Sequence, residues 1–190
     1  MRYNIGAFDL VPENTKEAAR TVSQFLDSKG VSHAVIGGMA VSAYSPPRMT
    51  QDVDFLVPPD CLSQLRELGD ITPLADSVDG VTVMMGDVPV DFLFLDPDLP
   101  DDILDDGPKI NGIPVLRPEA LFVMKMNAPR AKDHADVIEM LKAGIADVKA
   151  VRKYMKKHCP DMVEDFDSNI MLADFEKSGT LPKKKYGFSK

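Results

Sequence analysis

Apolar residues recur at helical spacing between Asn14 and Lys29, where Ala18, Val22, Phe25 and Leu26 fall near one face. Gly30 follows where a C-terminal cap belongs. Val31 to Ile36 reads as a short strand running into Gly37-Gly38, and Met39 to Tyr44 suits a short helix stopped by Ser45-Pro46-Pro47. Asp52 to Val57 reads as a strand, and Leu62 to Leu68 as a helix. Val81 to Met85 and Val88 to Leu95 predict a hairpin turning at Gly86-Asp87. Asp96 to Pro108, rich in Asp and Pro, carries no packing signal. Asn111-Gly112 between Ile110 and Ile113-Pro114-Val115 marks a second hairpin, with Pro114 pointing to an edge strand. From Pro118 onward the period is helical: Ala120 to Asn127, Ala131 to Leu141, Asp147 to His158 and Met162 to Lys177, with Pro129 interrupting or kinking the first pair. The expected outline is α+β: a mixed sheet flanked by helices over residues 1–117, a helical bundle over 118–180, and a flexible basic tail over 181–190.

Composition bounds this outline without deciding the chemistry. The 190 residues are 44% hydrophobic and 27% charged, ordinary for a globular protein. No run approaches the roughly 18 apolar residues of a membrane span. The N-terminus shows no apolar core followed by a cleavage site, so a cytoplasmic location is expected. Cys61 and Cys159 are isolated and read as two reduced thiols, with no zinc-ligand spacing.

Charge changes the picture more. The net charge is −8, but residues 52 to 106 hold fifteen of the thirty acidic side chains and one basic residue, Arg66. Lys149 to Lys190 carries ten Lys or Arg residues. An acidic centre beside a basic end fits adjacent metal and polyanion sites; a solvated helical face accounts for the lysines equally well.

Candidate chemistry concentrates in two places. Asp52 and Asp54 lie two apart on one predicted strand, so both leave the same face with α-carbons about 6.5 Å apart. Asp91, in the second hairpin strand, stands ready to complete a carboxylate cluster around divalent cations. Arg48 and Thr50 precede the pair: the first contacts phosphates or neutralises the cluster, and the second supports an aspartate or simply favours the strand. Gly37-Gly38, at a strand end opening a helix, lets backbone approach a ligand and presents free N–H groups to an anion. In the helical half, Lys125, Lys132 and Asp136 fall on one stripe if the helix is unbroken; Pro129 leaves two adjoining helix starts as the alternative. Either Lys125 or Lys132 contacts phosphates with Asp133 or Asp136 orienting it, or these are surface ion pairs. His33 is expected to be packed, His134 has no assigned role, and the eleven methionines read as gap-filling core residues.

The stretch from Val31 to Val57, with Ile-Gly37-Gly38-Met-Ala and Arg48-x-Thr50-x-Asp52-x-Asp54, resembles the core motif of the DNA polymerase β-like nucleotidyltransferase superfamily. Pro118 to Lys125 and Arg130-Ala-Lys132-Asp133-His-Ala-Asp136 are similar to the helical Lys and Lys-Asp-x-x-Asp signature of its minimal, AbiEii-type branch, which includes toxins of toxin–antitoxin pairs. The resemblance spans about Val31 to Leu141. It implies a nucleotidyltransferase-type sheet and two Mg²⁺ (or Mn²⁺) ions held by Asp52, Asp54 and Asp91. It further implies transfer of a nucleoside monophosphate from an NTP to an acceptor hydroxyl on RNA or tRNA, a protein or a small molecule, with an antitoxin as partner. Many superfamily members carry Gly-Ser at the first motif; Gly38 supplies no hydroxyl. A non-catalytic interaction module that kept the fold is the competing reading, and a metal-dependent phosphohydrolase a third.

Overall fold

The computed structural model describes residues 3–4, 6–74, 79–97, 99–100, 102–128 and 130–179; Pro129 and the expected basic tail lie outside them. The element order is α1 (Glu13–Ser28), β1 (Ala34–Val35), α2 (Gly37–Tyr44), β2 (Val53–Val57), α3 (Leu62–Leu65), β3 (Ile71–Pro73), β4 (Gly80–Met85), β5 (Val88–Phe94), β6 (Lys109–Ile110), β7 (Ile113–Pro114), α4 (Pro118–Asn127), α5 (Ala131–Ala143), α6 (Val148–His158) and α7 (Val163–Ser178). Five strands form a mixed sheet in the order β1-β2-β5-β4-β3, and β6 and β7 form a separate hairpin. The α+β architecture with C-terminal helices therefore stands.

Alternation builds the sheet. Val53, Phe55 and Val57 are fully buried on one face of β2, as are Val90 and Phe92 on β5. Phe55 stacks on Phe92 with ring centroids 5.9 Å apart. His33 meets Phe55 edge-on at 5.7 Å, and its Nε2 accepts from the Ser23 hydroxyl of α1 at 2.8 Å while Nδ1–H donates to the Val31 carbonyl at 2.9 Å. His33 is thus packed under α1, and burial pushes its pKa below the usual value. The opposite face carries Asp54 and Asp91.

The strand pairing fixes what lies beside what. β2 and β5 run parallel with Asp54 opposite Asp91, and β4 runs antiparallel to β5 with Thr82 opposite Asp91. Asp54, Asp91 and Thr82 consequently form a row across three adjacent strands. α2 packs on β2 and touches α4 and α5, which brings the helical half against the carboxylate face. Buried side chains from before and after Arg117 belong to one core cluster.

Several boundaries differ from the periodicity. The first strand shrinks to Ala34–Val35, because Val31 and Ser32 close the α1 terminus through the bond from Val31 N–H to the Leu26 carbonyl. α2 begins at Gly37, two residues earlier than expected, so both glycines sit in its first turn. α3 stops at Leu65 rather than Leu68. β3 was not expected at all: Ile71-Thr72-Pro73 is largely exposed, shows no alternation and exists through pairing with β4.

Candidate active site

Gly37 and Gly38 set the tightness of the site. Gly37 adopts a positive φ of 59°, and a Cβ there would run into the Asp54 carboxylate. A Cβ on Gly38 would stand 2.8 Å from Thr50 Oγ1 and 3.4 Å from Arg48 Nη2. The glycine pair thus lets the start of α2 close onto β2 and its preceding loop. Ile36 N–H donates to the Asp54 carbonyl at 2.8 Å and locks that approach. The Ser42 hydroxyl ties the same loop to α2 by accepting from Arg48 N–H at 3.3 Å and donating to the Gly38 carbonyl at 3.1 Å.

The carboxylates are oriented by hydroxyls. Thr50 donates to Asp52 Oδ1, and Thr82 donates to Asp91 Oδ1 at 2.5 Å. Among the described residues Asp54 has no such side-chain donor. Its pKa is pushed up to about 6, first by burial, then by repulsion from Asp52 and Asp91, with Lys125 and Arg130 pulling the other way. A carboxyl whose pKa is raised by burial and then by two neighbouring carboxylates marks a buried anionic centre short of cations.

Facing it is a buried ionic chain contributed by three elements. Lys125, near the end of α4 and 6% exposed, lies 2.6 Å from Asp133 Oδ1 and 2.9 Å from Asp136 Oδ2. Arg48 Nη2 reaches Asp136 Oδ2 at 3.2 Å. Arg130, capping α5, grips Asp133 through Nε at 2.7 Å and Nη2 at 3.2 Å. Asp133 is fully buried; burial alone would raise its pKa, but the Arg130 and Lys125 hydrogen bonds outweigh that and hold it below the usual carboxylate range. Three cations against two carboxylates leave the chain with one excess positive charge. Arg48 Nε is buried with no partner among the described residues.

Both centres line one cavity of about 140 Å³, its charged wall including Asp52, Asp54, Lys125 and Arg130, with Lys132 lining it from an exposed position. Leu93, Leu121, Met124 and Ala128 form its apolar wall. Cavities of about 390 and 430 Å³ lie elsewhere, and neither contains these charges; convergence of chemistry, not size, picks out the site.

The expected residues are therefore brought together, with distinctions. Lys125 is the buried lysine and touches both Asp133 and Asp136, while Lys132 is exposed and His134 points into no cavity lining. The single helical stripe is instead two helices, α4 and α5. Asp91 joins the row on the sheet but does not line the cavity. Arg130 and Thr82 were missed by sequence reasoning. An Arg three residues before Asp133 at a helix start was the available signal for the first; for Thr82 it was the expected hairpin at Gly86-Asp87, whose two-residue turn sets Thr82 opposite Asp91.

No three His, Cys, Asp or Glu side chains among the described residues are grouped so as to hold a metal ion in this arrangement. The donor chemistry nevertheless fits a hard divalent cation: three carboxylates, one of them driven toward protonation by burial and by the other two, supply only oxygen.

Residues 15–175 match the family described as "Nucleotidyl transferase of unknown function (DUF2204)", and the chain belongs to that family. No curated protein matches it in sequence. Among solved structures, JHP933 from Helicobacter pylori is similar at 16% identity, over 88% of this chain and 83% of that one, with a TM-score of 0.48. The antibiotic-resistance factor ANT(2'')-Ia is similar at 15% identity over 87% and 100% of the two chains, TM-score 0.49. The lincomycin-bound lincosamide antibiotic adenylyltransferase LnuA follows at 16% over 68% and 96%, TM-score 0.46. At these identities and scores the likenesses assign neither substrate nor residue role. No helix among the described residues is long and apolar enough to cross a membrane.

Proposed function

We propose that the chain is a metal-dependent nucleotidyltransferase that moves a nucleoside monophosphate from an NTP to an acceptor hydroxyl. One observation carries this reading: the anionic centre of Asp52 and Asp54 faces the cationic chain of Arg48, Lys125 and Arg130 across a single cavity. Phosphoryl transfer needs charge neutralisation and alignment more than covalent participation, and this cavity offers both signs of charge in fixed positions.

In this reading Asp52, Asp54 and Asp91 hold two Mg²⁺ or Mn²⁺ ions. Such ions, if held by these carboxylates, would supply charge neutralisation for the triphosphate and a lowered pKa for the acceptor hydroxyl. Lys125, held by Asp133 and Asp136, faces the phosphates together with Arg48 and Lys132. Backbone N–H groups of Gly37 and Gly38, at a helix start, contact the triphosphate in place of a serine hydroxyl. Thr50 holds Asp52 in its rotamer. The acceptor oxygen bonds to the α-phosphorus and pyrophosphate leaves.

The motif resemblance supports the finer placement in the AbiEii-type branch: a cytoplasmic toxin with an antitoxin partner, residues 1–117 forming the nucleotidyltransferase core and 118–180 a helical region. The acceptor within this reading is RNA or tRNA, a protein or a small molecule. Isothermal titration of the protein with each NTP tests the core of it: binding appears with Mg²⁺ and vanishes with EDTA or in Asp54→Asn.

A second reading, a non-catalytic module that kept the fold, is favoured by the failure of the three carboxylates to close into a metal-holding group. It predicts no Mg²⁺-dependent heat with any NTP.

A further inference from the structure

α6 carries a feature that neither the fold nor the transfer chemistry uses. Val151 and Met155 are its buried positions, and α6 packs against α4, the helix that delivers Lys125 to the cavity. At 100° per residue, Lys149, Lys153, Lys156 and Lys157 all fall on the side opposite that buried pair. All four are exposed, and none makes an ion pair among the described residues. The one arginine on the helix is spent within the protein: Arg152 grips Asp167 through Nε at 2.8 Å and Nη2 at 2.7 Å.

The stripe works against the helix that bears it. α6 contains no acidic residue, so Lys149–Lys153, Lys153–Lys156 and Lys153–Lys157 are like-charge neighbours at i,i+3 or i,i+4, each unfavourable. Lys149 sits in the first turn, where the helix dipole disfavours a cation; only Lys156 and Lys157, in the last turn, gain from it. The helix start is stabilised independently, by the Asp147 carboxylate accepting from the N–H groups of Lys149 and Ala150. Charges that cost local stability and, apart from the attraction of Lys157 to Asp102, have no internal partner are the mark of a surface kept for something outside the molecule.

We infer that the Lys149–Lys153–Lys156–Lys157 face of α6 is a docking surface for the phosphate backbone of single-stranded RNA. Lys149, Lys153 and Lys157 follow one another at about 6 Å along the helix axis, with Lys156 between the last two, so the stripe is about 12 Å long and meets more than one phosphate of a strand rather than a point anion. The rest of the chain reinforces the choice of site, because residues 52–106, with fifteen acidic side chains and one basic, repel a polyanion and confine it to α6. A free single-stranded 3′ end is the form in which RNA presents a terminal hydroxyl. As the acceptor side of the reaction, the stripe rests on the nucleotidyltransferase reading; as an RNA-binding face, it does not.

The test is fluorescence anisotropy of the full chain with a labelled single-stranded oligoribonucleotide across a salt series, alongside Mg²⁺–NTP titration of the same preparations. The wild type binds with a log–log salt slope of about −3, the value for four neutralised phosphates on a single strand. The combined variant Lys149→Gln, Lys153→Gln, Lys156→Gln, Lys157→Gln keeps its helical circular dichroism and its NTP titration, loses most of that slope and binds at least about tenfold more weakly at low salt. Absent RNA binding by the wild type, or equal binding by the variant, overturns the assignment. So does tighter binding of a glutamate-rich peptide or of duplex DNA, which identifies a different partner. Failure of the NTP titration with RNA binding intact removes the transferase reading and leaves the docking face standing.

Discussion

Asp54 on β2 and Asp91 on β5 stand directly opposite each other across a parallel strand pair, thirty-seven residues apart in sequence and side by side on one face. Two carboxylates so placed repel, and Asp52 adds a third charge. Burial first, and then this repulsion, raises the Asp54 pKa to about 6 against an ordinary 3.8. Between those values the folded chain holds a proton that the unfolded chain has released, so stability falls as pH rises from about 4 to about 6 and then levels.

Replacing the carboxylate removes that slope. Asp54→Asn should be more stable than wild type above pH 6, by at most about 3 kcal/mol, while losing NTP binding in Mg²⁺. Urea unfolding at pH 4.5 and pH 8 checks this: the wild-type midpoint drops between the two and the variant's does not. Parallel behaviour of the two proteins would show that Asp54 carries no strain. Stability gained with function lost is the trade expected of a preorganised charged site.

The ionic chain around Lys125 predicts a moderated loss. Removing one partner of an isolated buried pair typically costs about 3–5 kcal/mol. Here Asp133 keeps Arg130 and Asp136 keeps Arg48 when Lys125 is changed. Lys125→Met should therefore cost about 1–3 kcal/mol and still fold, with NTP incorporation reduced at least a hundredfold. A cost near zero would mean the lysine is solvated rather than buried between its aspartates.

Gly37 and Gly38 should differ in tolerance. Gly37→Ala meets both the Asp54 carboxylate and a positive φ, the latter alone costing about 1–2 kcal/mol. Gly38→Ala meets the Thr50 hydroxyl at 2.8 Å and Arg48 Nη2 at 3.4 Å but carries no positive φ and touches no carboxylate. Thermal melts of the two variants should rank Gly37→Ala lower, and equal melts would contradict the close approach.

Thr82→Val leaves Asp91 without its hydroxyl donor. The side chain is half-buried and isosteric in its replacement, so folding should be intact while Mg²⁺ affinity falls by about 10- to 100-fold, the usual effect of losing a group that orients a ligand. Titration of Mg²⁺ into the NTP complex reads this directly. An unchanged affinity would take Asp91 out of the metal site.

How far the sequence reached follows from which contacts are local. Asp52 and Asp54 share a face because side chains alternate along any strand, so their pairing was readable from two residues of spacing. That Asp91 joins them depends on a parallel β2–β5 register, which no local pattern encodes. Thr82 faces Asp91 through the β4–β5 hairpin instead, a register that the expected turn at Gly86-Asp87 already contained. β3 escaped notice because Ile71-Thr72-Pro73 buries little and owes its existence to β4. Lys125 and Asp136 were legible as a helical stripe, yet the chain achieves their contact by folding α5 back beside α4. Of the two arrangements the spacing allowed, one unbroken stripe or two adjoining helix starts at Pro129, the chain adopts two helices. Arg130 acts from a helix cap, a position whose importance appears only once α5 is seen to start there.

The most direct test of the central claim is transfer itself. Wild type should move radiolabel from the α-phosphate of an NTP onto an acceptor in Mg²⁺, with label from the γ-phosphate released as pyrophosphate, and Asp52→Asn should do neither while remaining folded. Undiminished transfer by Asp52→Asn, or γ-label appearing as free phosphate without any acceptor modified, would contradict it.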